Sequence, residues 1–337
     1  MKVVVLEGTH KLAVGTAETP KPDGYHVLIQ IDKTGICGSE THFWYDIGDS
    51  MKGTVLGHEY CGTVLDPGAN KDLKVGDRVT SEAMGCGKCD LCRAGHQNVC
   101  FDTPLLMGGF GEVAICVPDA AVKVPDNVSS IEAAMVEPIA TSLHAVNRAN
   151  IKIGDKVCII GGGIIGLGVA SFAKMNGASK VVLVEANMEK AKKILAMGDV
   201  DAIFDALDEN CVEKLKEYTG GPGFDVAFEC SGAGPAVATA IKVVKRATKV
   251  MLVGGSPADT NGIPLSHALL GEVNLITVYA YSRDEFLRVM EAMGEGRINA
   301  EKYATKIVTL DEVPQVFEDL RNRRIDDVKV IIDVAKK

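Results

Sequence analysis

Four of the ten cysteines in this chain of 337 residues fall within one short stretch, G-C-G-K-C-D-L-C-R-A-G-H-Q-N-V-C, at Cys86, Cys89, Cys92 and Cys100. Thiolates at this spacing, in a loop that contains glycine, can surround one tetrahedral zinc ion and fill all four of its positions. A zinc ion enclosed in this way has no position left for substrate or water, so we expect it to be structural. Two alternatives stay open: an iron–sulfur cluster, which usually takes its fourth cysteine from elsewhere in the chain, and unligated core cysteines.

Two shorter stretches hold residues suited to an open metal site: C-G-S-E-T-H from Cys37 to His42 and G-H-E from Gly57 to Glu59. Cysteine, histidine and carboxylate side chains bind zinc, and three such ligands with one open position form a catalytic site. Because spacing alone does not show that Cys37 and His58 meet, a structural role for a single cysteine and a single histidine stays open.

A glycine-rich loop connects a predicted strand to a predicted helix. The segment V-C-I-I-G-G-G-I-I-G contains G-x-G-x-x-G, in which the first glycine makes a tight turn, the second lets a pyrophosphate approach the backbone and the third lets the helix pack closely. The next predicted strand ends in Glu185, nineteen residues after Gly166, where a carboxylate would bind the adenosine ribose and repel a 2′-phosphate. We therefore predict NAD rather than NADP, with contacts at Gly161, Gly163, Ile164, Ile165 and Gly166. A glycine turn of a flavodoxin-like fold beside a surface glutamate is the alternative.

The rest of the chain must position these residues. Between residues 156 and 278, six short apolar runs alternate with helical stretches, which predicts a doubly wound parallel sheet with helices on both faces. The first ~130 residues instead read as short strands with turns between them. The tail carries two helical and two strand-like segments that do not continue the alternation. We assign it to the first domain, which is then discontinuous.

Composition limits the partners that the chain can have. The 36 basic and 45 acidic residues give a net charge of −9, and no run of lysine or arginine would neutralise a phosphate backbone, so nucleic acid is not expected. The N-terminal sequence MKVVVLEGTH reaches an acidic residue after four apolar positions, and no later apolar run is long enough to span a bilayer. We expect a cytoplasmic protein without membrane contact, in which clustered cysteines bind metal rather than form disulfides.

Several motifs, in this order along the chain, resemble the zinc-dependent medium-chain dehydrogenases and, within that family, the sorbitol and other polyol dehydrogenases. They are C-G-S-x-x-H at 37–42, G-H-E at 57–59, G-D-R-V at 76–79, the four-cysteine stretch, V-P-D-N-V at 124–128, E-P at 137–138, the glycine loop, and E-C-S-G at 229–232. The resemblance implies an α/β protein with a GroES-like β-rich catalytic domain at residues 1–149 and 281–337 and a Rossmann NAD-binding domain at 150–280. It also implies an active site in the cleft between the domains and a homo-oligomer, a dimer or a tetramer.

The resemblance further implies metal-binding roles for individual residues. Cys37 and His58 match the first two ligands of the family's catalytic zinc. Glu59 matches the third ligand of polyol-type members. Glu137 matches an acidic residue that binds the metal directly or holds its water, and which of the two glutamates is the direct ligand stays open.

Other positions match the family's proton relay and cofactor contacts. Ser39 and His42 match the groups that pass the alcohol proton towards solvent, a task suited to the ordinary pKa of histidine. The matches to cofactor contacts are Lys190 with Glu185 at the adenosine ribose, Thr141 and the Val253-Gly254 backbone near the nicotinamide, and Ser231 near the adenine. Since Lys190 falls on a charged helix, a solvated lysine is the alternative there.

These residues together predict an NAD-dependent zinc dehydrogenase that oxidises a secondary hydroxyl group of a polyol, sugar acid or related carbohydrate. Zinc makes a bound hydroxyl more acidic, which favours transfer of the carbon-bound hydride to nicotinamide. Two other functions stay open. One is a dehydrogenase of a sugar-alcohol phosphate or a β-hydroxy amino acid, and the other is a zinc-stabilised nucleotide-binding protein without turnover.

Overall fold

A computed structural model describes residues 1–82, 85–103, 107–255, 262–322 and 324–336. The chain divides into two compact units, one made of Met1–Pro138 and Ser282–Lys337 and the other of Ile139–Tyr281. The division near residue 138 falls inside a helix, whereas the boundary implied by the family resemblance is at residue 149, where that helix ends. Each unit has its own hydrophobic core.

Short strands dominate the N-terminal part of the first unit. The strands are β1 (Lys2–Gly8), β2 (Lys11–Thr16), β3 (Val27–Gly35), β4 (Glu59–Asp66), β5 (Arg78–Ser81), β6 (Val113–Cys116) and β7 (Ala121–Lys123). The helices are α1 (Gly38–Asp46), α2 (Asp90–Arg93), α3 (Ser130–Ala134) and α4 (Val136–Ala149), of which the last leads into the second unit.

The second unit alternates strands and helices. In chain order they are β8 (Lys156–Ile160), α5 (Ile164–Met175), β9 (Lys180–Glu185), α6 (Met188–Ala196), β10 (Ala202–Asp205), α7 (Cys211–Thr219), β11 (Phe224–Glu229), α8 (Gly234–Val243), β12 (Val244–Leu252), α9 (Leu265–Gly271) and β13 (Asn274–Thr277). All neighbouring strands are parallel, in the order β10-β9-β8-β11-β12-β13. The order reverses between β8 and β11, and in such sheets the ligand crevice lies at this reversal, outside the carboxyl ends of the strands.

The C-terminal segment completes the sheet of the first unit. It contributes α10 (Arg283–Gly294), β14 (Ala304–Val308), α11 (Val313–Arg321) and β15 (Lys329–Asp333). The seven-stranded sheet has the order β14-β15-β3-β4-β5-β7, with β6 also paired to β3, while β1 and β2 form a separate antiparallel pair. Because β15 pairs with β3 through Ile331 and Gly35, the end of the chain lies beside the strand that leads to Cys37.

The observed architecture confirms the predicted α/β class, with one β-rich unit and one doubly wound parallel-sheet unit. Helix α1, which carries two of the predicted site residues, is anchored by Trp44. This side chain is only 2% exposed and its ring meets that of Phe317 on α11 edge to face, with 5.8 Å between the ring centroids. Within the described ranges, no helix combines the length and the apolar character needed to cross a bilayer.

Candidate active site

Three of the predicted metal ligands meet in the first unit. One donor atom each from Cys37, His58 and Glu59 lies within 4.8 Å of the other two. The sheet explains the meeting, since β3 and β4 are antiparallel neighbours with Gly35 opposite Glu59, and Cys37 follows directly after the end of β3. Gly57 makes the turn into β4 with a φ of 98°, and a side chain there would collide with the backbone of Phe110.

A fourth residue, Glu40, orients two of these ligands. Its carboxylate is completely buried, and Oε1 accepts hydrogen bonds from the backbone N–H of Gly57 at 2.8 Å and from Nδ1 of His58 at 3.0 Å. The other oxygen, Oε2, accepts the backbone N–H of Cys37 at 3.0 Å. A carboxylate on one ring nitrogen fixes the histidine tautomer and leaves the other nitrogen for a metal.

The charges around His58 act on its protonation. Burial lowers the pKa of the imidazole, but the negative charges of Glu40 and Cys37, with their hydrogen bonds, outweigh it and raise the pKa well above its ordinary value. The same negative charges would favour a bound cation. Glu40 is not among the predicted site residues, although a glutamate at the third position of a helix that starts after Cys37 is a recognisable capping position.

Glu59 has a buried cationic partner, Lys329 on β15. The ammonium group forms an ion pair with Oε2 of Glu59 and donates a hydrogen bond to the carbonyl oxygen of Ile36 at 2.8 Å. Burial lowers the pKa of Lys329, but the negative charges of Glu59 and Cys37 raise it by more than burial lowers it. The net shift of the pKa is therefore upward. Lys329 is not among the predicted site residues either. The sequence feature that could have indicated it is a lysine within the apolar run V-K-V-I-I.

The remaining oxygen of Glu59 fits a metal ion. Oε1 is buried and has no hydrogen-bond partner among the described residues, and a buried carboxylate oxygen without a partner is costly unless a cation meets it. With a thiolate and an imidazole beside it, the donor set is that of a zinc site with one open position. Glu137, at the start of α4, is not part of this three-residue group, and its role as ligand or as holder of water stays a prediction.

Ser39 and His42 occupy one face of α1, three residues apart. The hydroxyl of Ser39 donates to Sγ of Cys37 at 3.2 Å, so it lies at the metal-binding group. One turn later, His42 is exposed, with Nδ1 3.3 Å from Oδ2 of Asp46. The two side chains therefore lead from the half-buried sulfur of Cys37 to solvent, as a proton relay requires, and the relay itself stays a prediction.

The four-cysteine stretch forms a second cluster. All four sulfur atoms lie within 4.8 Å of one another, with Cys86 4.0 Å from Cys92 and Cys89 3.8 Å from Cys100. A tetrahedral zinc ion with bonds of ~2.3 Å to sulfur places the sulfurs about 3.8 Å apart, so the cluster has the size that zinc needs. Four thiolates leave no open position, which supports the prediction of a structural site.

The glycine loop of the second unit forms the predicted anion cradle. Gly161 ends β8 with a φ of 104°, and a side chain at Gly166 would collide with the carbonyl oxygen of Gly161, so α5 packs directly on the loop. Gly163 caps α5 without a side chain, and the space beside its Cα is open. Unpaired N–H groups at an uncapped helix start suit a phosphate. Glu185 stands at this loop, with Oε2 accepting the N–H of Gly162 at 2.8 Å.

The other predicted cofactor residues fall into two sets. Ser231 and the Val253-Gly254 backbone lie in loops after β11 and β12, at the same end of the sheet as the glycine loop. Thr141 lies on α4. Lys190 lies on α6, where its backbone N–H donates to the capping side chain of Asn187 at 3.0 Å.

Comparison with known families places both units. Residues 23–126 match the family described as alcohol dehydrogenase GroES-like domain, and residues 165–295 match the family described as zinc-binding dehydrogenase. The expected GroES-like domain is thereby confirmed in the first unit. The zinc-binding dehydrogenase match covers most of the parallel sheet, including the helix after the glycine loop.

Similar proteins extend over nearly the whole chain. D-xylulose reductase A from Aspergillus niger is 32% identical over 335 residues, covering 94% of this chain and 92% of that one. A crystal structure of an oxidoreductase/dehydrogenase of unknown specificity from Escherichia coli has 30% identity and a TM-score of 0.89, covering 98% of both chains. A zinc-binding dehydrogenase from Sinorhizobium meliloti 1021, solved bound to NADP, has 27% identity and a TM-score of 0.89, covering 99% of both.

Proposed function

Because this chain belongs to the zinc-dependent medium-chain dehydrogenase/reductase family, whose polyol dehydrogenases are among its relatives, we propose that it oxidises a secondary hydroxyl group of a polyol, sugar acid or related carbohydrate with NAD. The observation that carries the proposal is the convergence of Cys37, His58 and Glu59 with one buried oxygen left unpartnered. The similarity to a D-xylulose reductase favours a sugar or polyol as the substrate.

The residues of the site have distinct tasks in this reaction. A zinc ion held by Cys37, His58 and Glu59, with Glu137 as ligand or holder of water, would supply a Lewis acid, and NAD would supply the hydride acceptor. Ser39 relays the hydroxyl proton, giving up its own proton to a water or the cofactor ribose, and exposed His42 passes it to solvent. The balanced reaction would take alcohol and NAD⁺ to ketone, NADH and one proton.

The preference for NAD over NADP rests on Glu185. Its two oxygens accept the N–H groups of Gly162 and Asn187 at 2.8 and 3.0 Å, which holds a negative charge at the mouth of the glycine loop. A 2′-phosphate would be repelled there. Wild-type protein should have a kcat/KM at least about tenfold higher with NAD than with NADP. In Glu185→Gln, this ratio of the two kcat/KM values should be smaller. A wild-type preference for NADP would overturn the assignment.

A substrate panel tests the reaction itself. Polyols, sugar acids, sugar-alcohol phosphates and β-hydroxy amino acids are offered with NAD, and NADH formation is followed by its near-ultraviolet absorbance. Turnover of phosphates or β-hydroxy amino acids alone would contradict the proposed substrate class. Zinc analysis separates turnover from mere nucleotide binding: two zinc ions per chain are expected, and a single ion held by the cysteine cluster would contradict a catalytic zinc.

The proposal includes self-association through the second unit. Strand β13 is an edge strand of the parallel sheet, and α9 beside it exposes three leucines, Leu265, Leu269 and Leu270. Exposed apolar side chains next to a free strand edge mark an interaction surface. Leu269→Lys should lower the mass measured by light scattering after size-exclusion chromatography, whereas Leu207→Lys, at another exposed leucine of the same unit, should not. A wild-type monomer would contradict the proposal.

Thiolates that hold zinc are stable in a reducing compartment, which is why the cytoplasm remains the predicted location.

A further inference from the structure

The ion pair between Lys329 and Glu59 treats the two oxygens of the carboxylate differently. The two side chains are 2% and 0% exposed, and the ammonium group pairs with Oε2 of Glu59. Oε1 has no hydrogen-bond partner among the described residues. An ionised carboxylate offers both oxygens to a cation, so Lys329 occupies one of the two through which Glu59 could bind a metal ion.

The ammonium group of Lys329 is fixed from a second side. Its Nζ donates a hydrogen bond to the carbonyl oxygen of Ile36 at 2.8 Å, and Ile36 directly precedes the predicted ligand Cys37. Lys329 begins β15, which pairs with the end of β3. The hydrogen bond and the strand pairing therefore hold this positive charge where the segments that carry Cys37 and Glu59 meet.

Gly35 leaves the space that the ion pair occupies. It lies opposite Glu59 in the pairing of β3 with β4. A Cβ atom at Gly35 would collide with Oε2 of Glu59 and would lie 2.8 Å from Cε of Lys329, so any larger residue would displace one of the two charged groups. The close approach of the carboxylate and the ammonium group therefore depends on a glycine two residues before Cys37.

The charges of the site call for both a metal ion and Lys329. Cys37, Glu40 and Glu59 bring three acidic groups together, and a divalent ion neutralises two negative charges. A third negative charge in a buried site is costly unless another cation meets it. Lys329 is that cation, so we expect its ion pair with Glu59 to persist when a metal ion is bound. Oε2 then stays occupied, and Oε1 is left for the metal.

We propose that Lys329 is a positioning residue that confines Glu59 to a single metal-facing oxygen and so keeps the fourth position of the zinc ion open for the substrate hydroxyl. A carboxylate can bind a metal ion through one oxygen or through both. Cys37, His58 and one oxygen of Glu59 provide three donors. Both oxygens would provide four donors and fill the tetrahedral set that a catalytic zinc ion must leave incomplete. This inference rests on the proposed zinc site and adds what holds it open.

The test measures metal affinity and access to the metal separately, in wild-type protein and in Lys329→Met. The active-site ion is exchanged for Co²⁺ while the closed cysteine cluster keeps its zinc, and the visible absorbance of Co²⁺ reports binding of the metal and of added imidazole. At pH 8 imidazole is largely neutral, so loss of the lysine charge does not by itself repel or attract it.

Lys329→Met should raise the dissociation constant of imidazole about tenfold, because the second oxygen of Glu59 then competes for the open position. The dissociation constant of Co²⁺ should fall about tenfold, because the metal no longer shares Glu59 with a cation. Lys33→Met is the matched control, since Lys33 on β3 pairs with Asp333 on β15 at 3.0 Å in the same sheet, outside the group of metal ligands. Both constants should be unchanged in Lys33→Met.

The outcomes separate this inference from the proposed function. Co²⁺ binding that is unchanged or weaker in Lys329→Met, as loss of a merely structural residue would give, overturns the inference, and so does unchanged imidazole binding. Wild-type protein that binds metal only at the cysteine cluster overturns the proposed catalytic zinc site itself.

If Lys329→Met does not fold, as judged by circular dichroism, a crystal structure of zinc-loaded wild-type protein decides. Zinc bound to Oε1 of Glu59 alone, with Lys329 still paired to Oε2, is the expected result. Both oxygens of Glu59 on the zinc, or Lys329 withdrawn from Glu59, would overturn the inference.

Discussion

The ammonium group of Lys329 lies against the carboxylate of Glu59, and both side chains are almost completely buried. Glu59 begins β4 and Lys329 begins β15, the last strand, and both strands are neighbours of β3 in the sheet. Cys37, Glu40 and Glu59 bring three acidic groups into a small buried volume. Lys329, drawn from the far end of the chain, offsets part of that charge and leaves Oε1 of Glu59 for a metal.

Removing the ammonium group of Lys329 should destabilise the first unit. Lys329→Met leaves Glu59 buried without its partner, and breaking a buried ion pair in this way costs about 3–5 kcal/mol. Urea unfolding of zinc-free protein measures the loss, with Lys336→Met at an exposed lysine as the control. Saturating zinc should reduce the loss, because the metal then neutralises Glu59. A loss of the same size with and without zinc would argue against Glu59 as a ligand.

Glu40 should control zinc affinity through His58. Glu40→Ala removes the group that orients the imidazole, and loss of such a partner typically lowers metal affinity 10–100-fold. Competition with a coloured chelator measures the affinity of the active-site ion. Glu132, at the equivalent capping position of α3, accepts the N–H of Ser129 at 3.2 Å, so Glu132→Ala tests capping without the metal site. A comparable fall in zinc affinity in Glu40→Ala and Glu132→Ala would contradict the role of Glu40.

The cysteine cluster should matter for stability before it matters for turnover. Cys92→Ser breaks a closed four-sulfur site, so we expect zinc content to fall from two ions to one per chain and the melting temperature to fall with it. Activity per remaining active-site zinc should stay near the wild-type value at a temperature where the variant is folded. Cys37→Ser provides the opposite case, with activity lost and a smaller change in melting temperature. Loss of turnover in both, at unchanged melting temperature, would refute a structural cluster.

The ten cysteines should fall into a fast-reacting and a slow-reacting group towards a disulfide reagent. Burial raises the pKa of Cys61 to about 11, of Cys116 to about 12 and of Cys211 to about 11, and Cys158 and Cys230 also shift upward by burial. At pH 8 only on the order of one thousandth of a thiol with a pKa of 11 is ionised, and the thiolate is the reactive form. Burial likewise raises the pKa of Cys92 to about 12. Chelation of zinc should therefore release four fast-reacting thiols to a disulfide reagent, namely Cys37, Cys86, Cys89 and Cys100. Ten fast thiols in folded, zinc-loaded protein would contradict the burial of the other six.

One backbone position offers a stabilising substitution. Ala247 on β12 has a φ of 55°, in the left-handed region that favours glycine, at an irregularity in the pairing of β11 with β12. Ala247→Gly should raise the free energy of unfolding by about 0.5–1 kcal/mol, because relief of the strained backbone outweighs the added freedom of the unfolded chain. Ala240→Gly, inside helix α8, should lower it by about 1 kcal/mol or more. Equal destabilisation by both would show that Ala247 is not strained.

Short-range patterns in the sequence were enough to define the second unit. The apolar runs at 156–160 and 224–229 predict two strands, and β8 and β11 have these bounds, because glycines and polar residues flank the runs. Strand β12 starts at Val244, five residues before its apolar run at 249–253, because Val244 pairs with Phe224 ahead of an irregularity in the register. Periodicity detects burial and not pairing, so it cannot find such an extension.

The glycine loop with its acid and the four-cysteine cluster follow from the sequence alone, because each rests on residue types at short spacing. That Cys37 meets His58 and Glu59, and what surrounds the three, follows from the tertiary structure. Glu40 is the partner of His58 and Lys329 is the partner of Glu59, since each contact depends on which elements pack together and on how the strands pair. The register of strand pairing brings together residues that are far apart in the chain, and no local sequence pattern indicates which residues will meet.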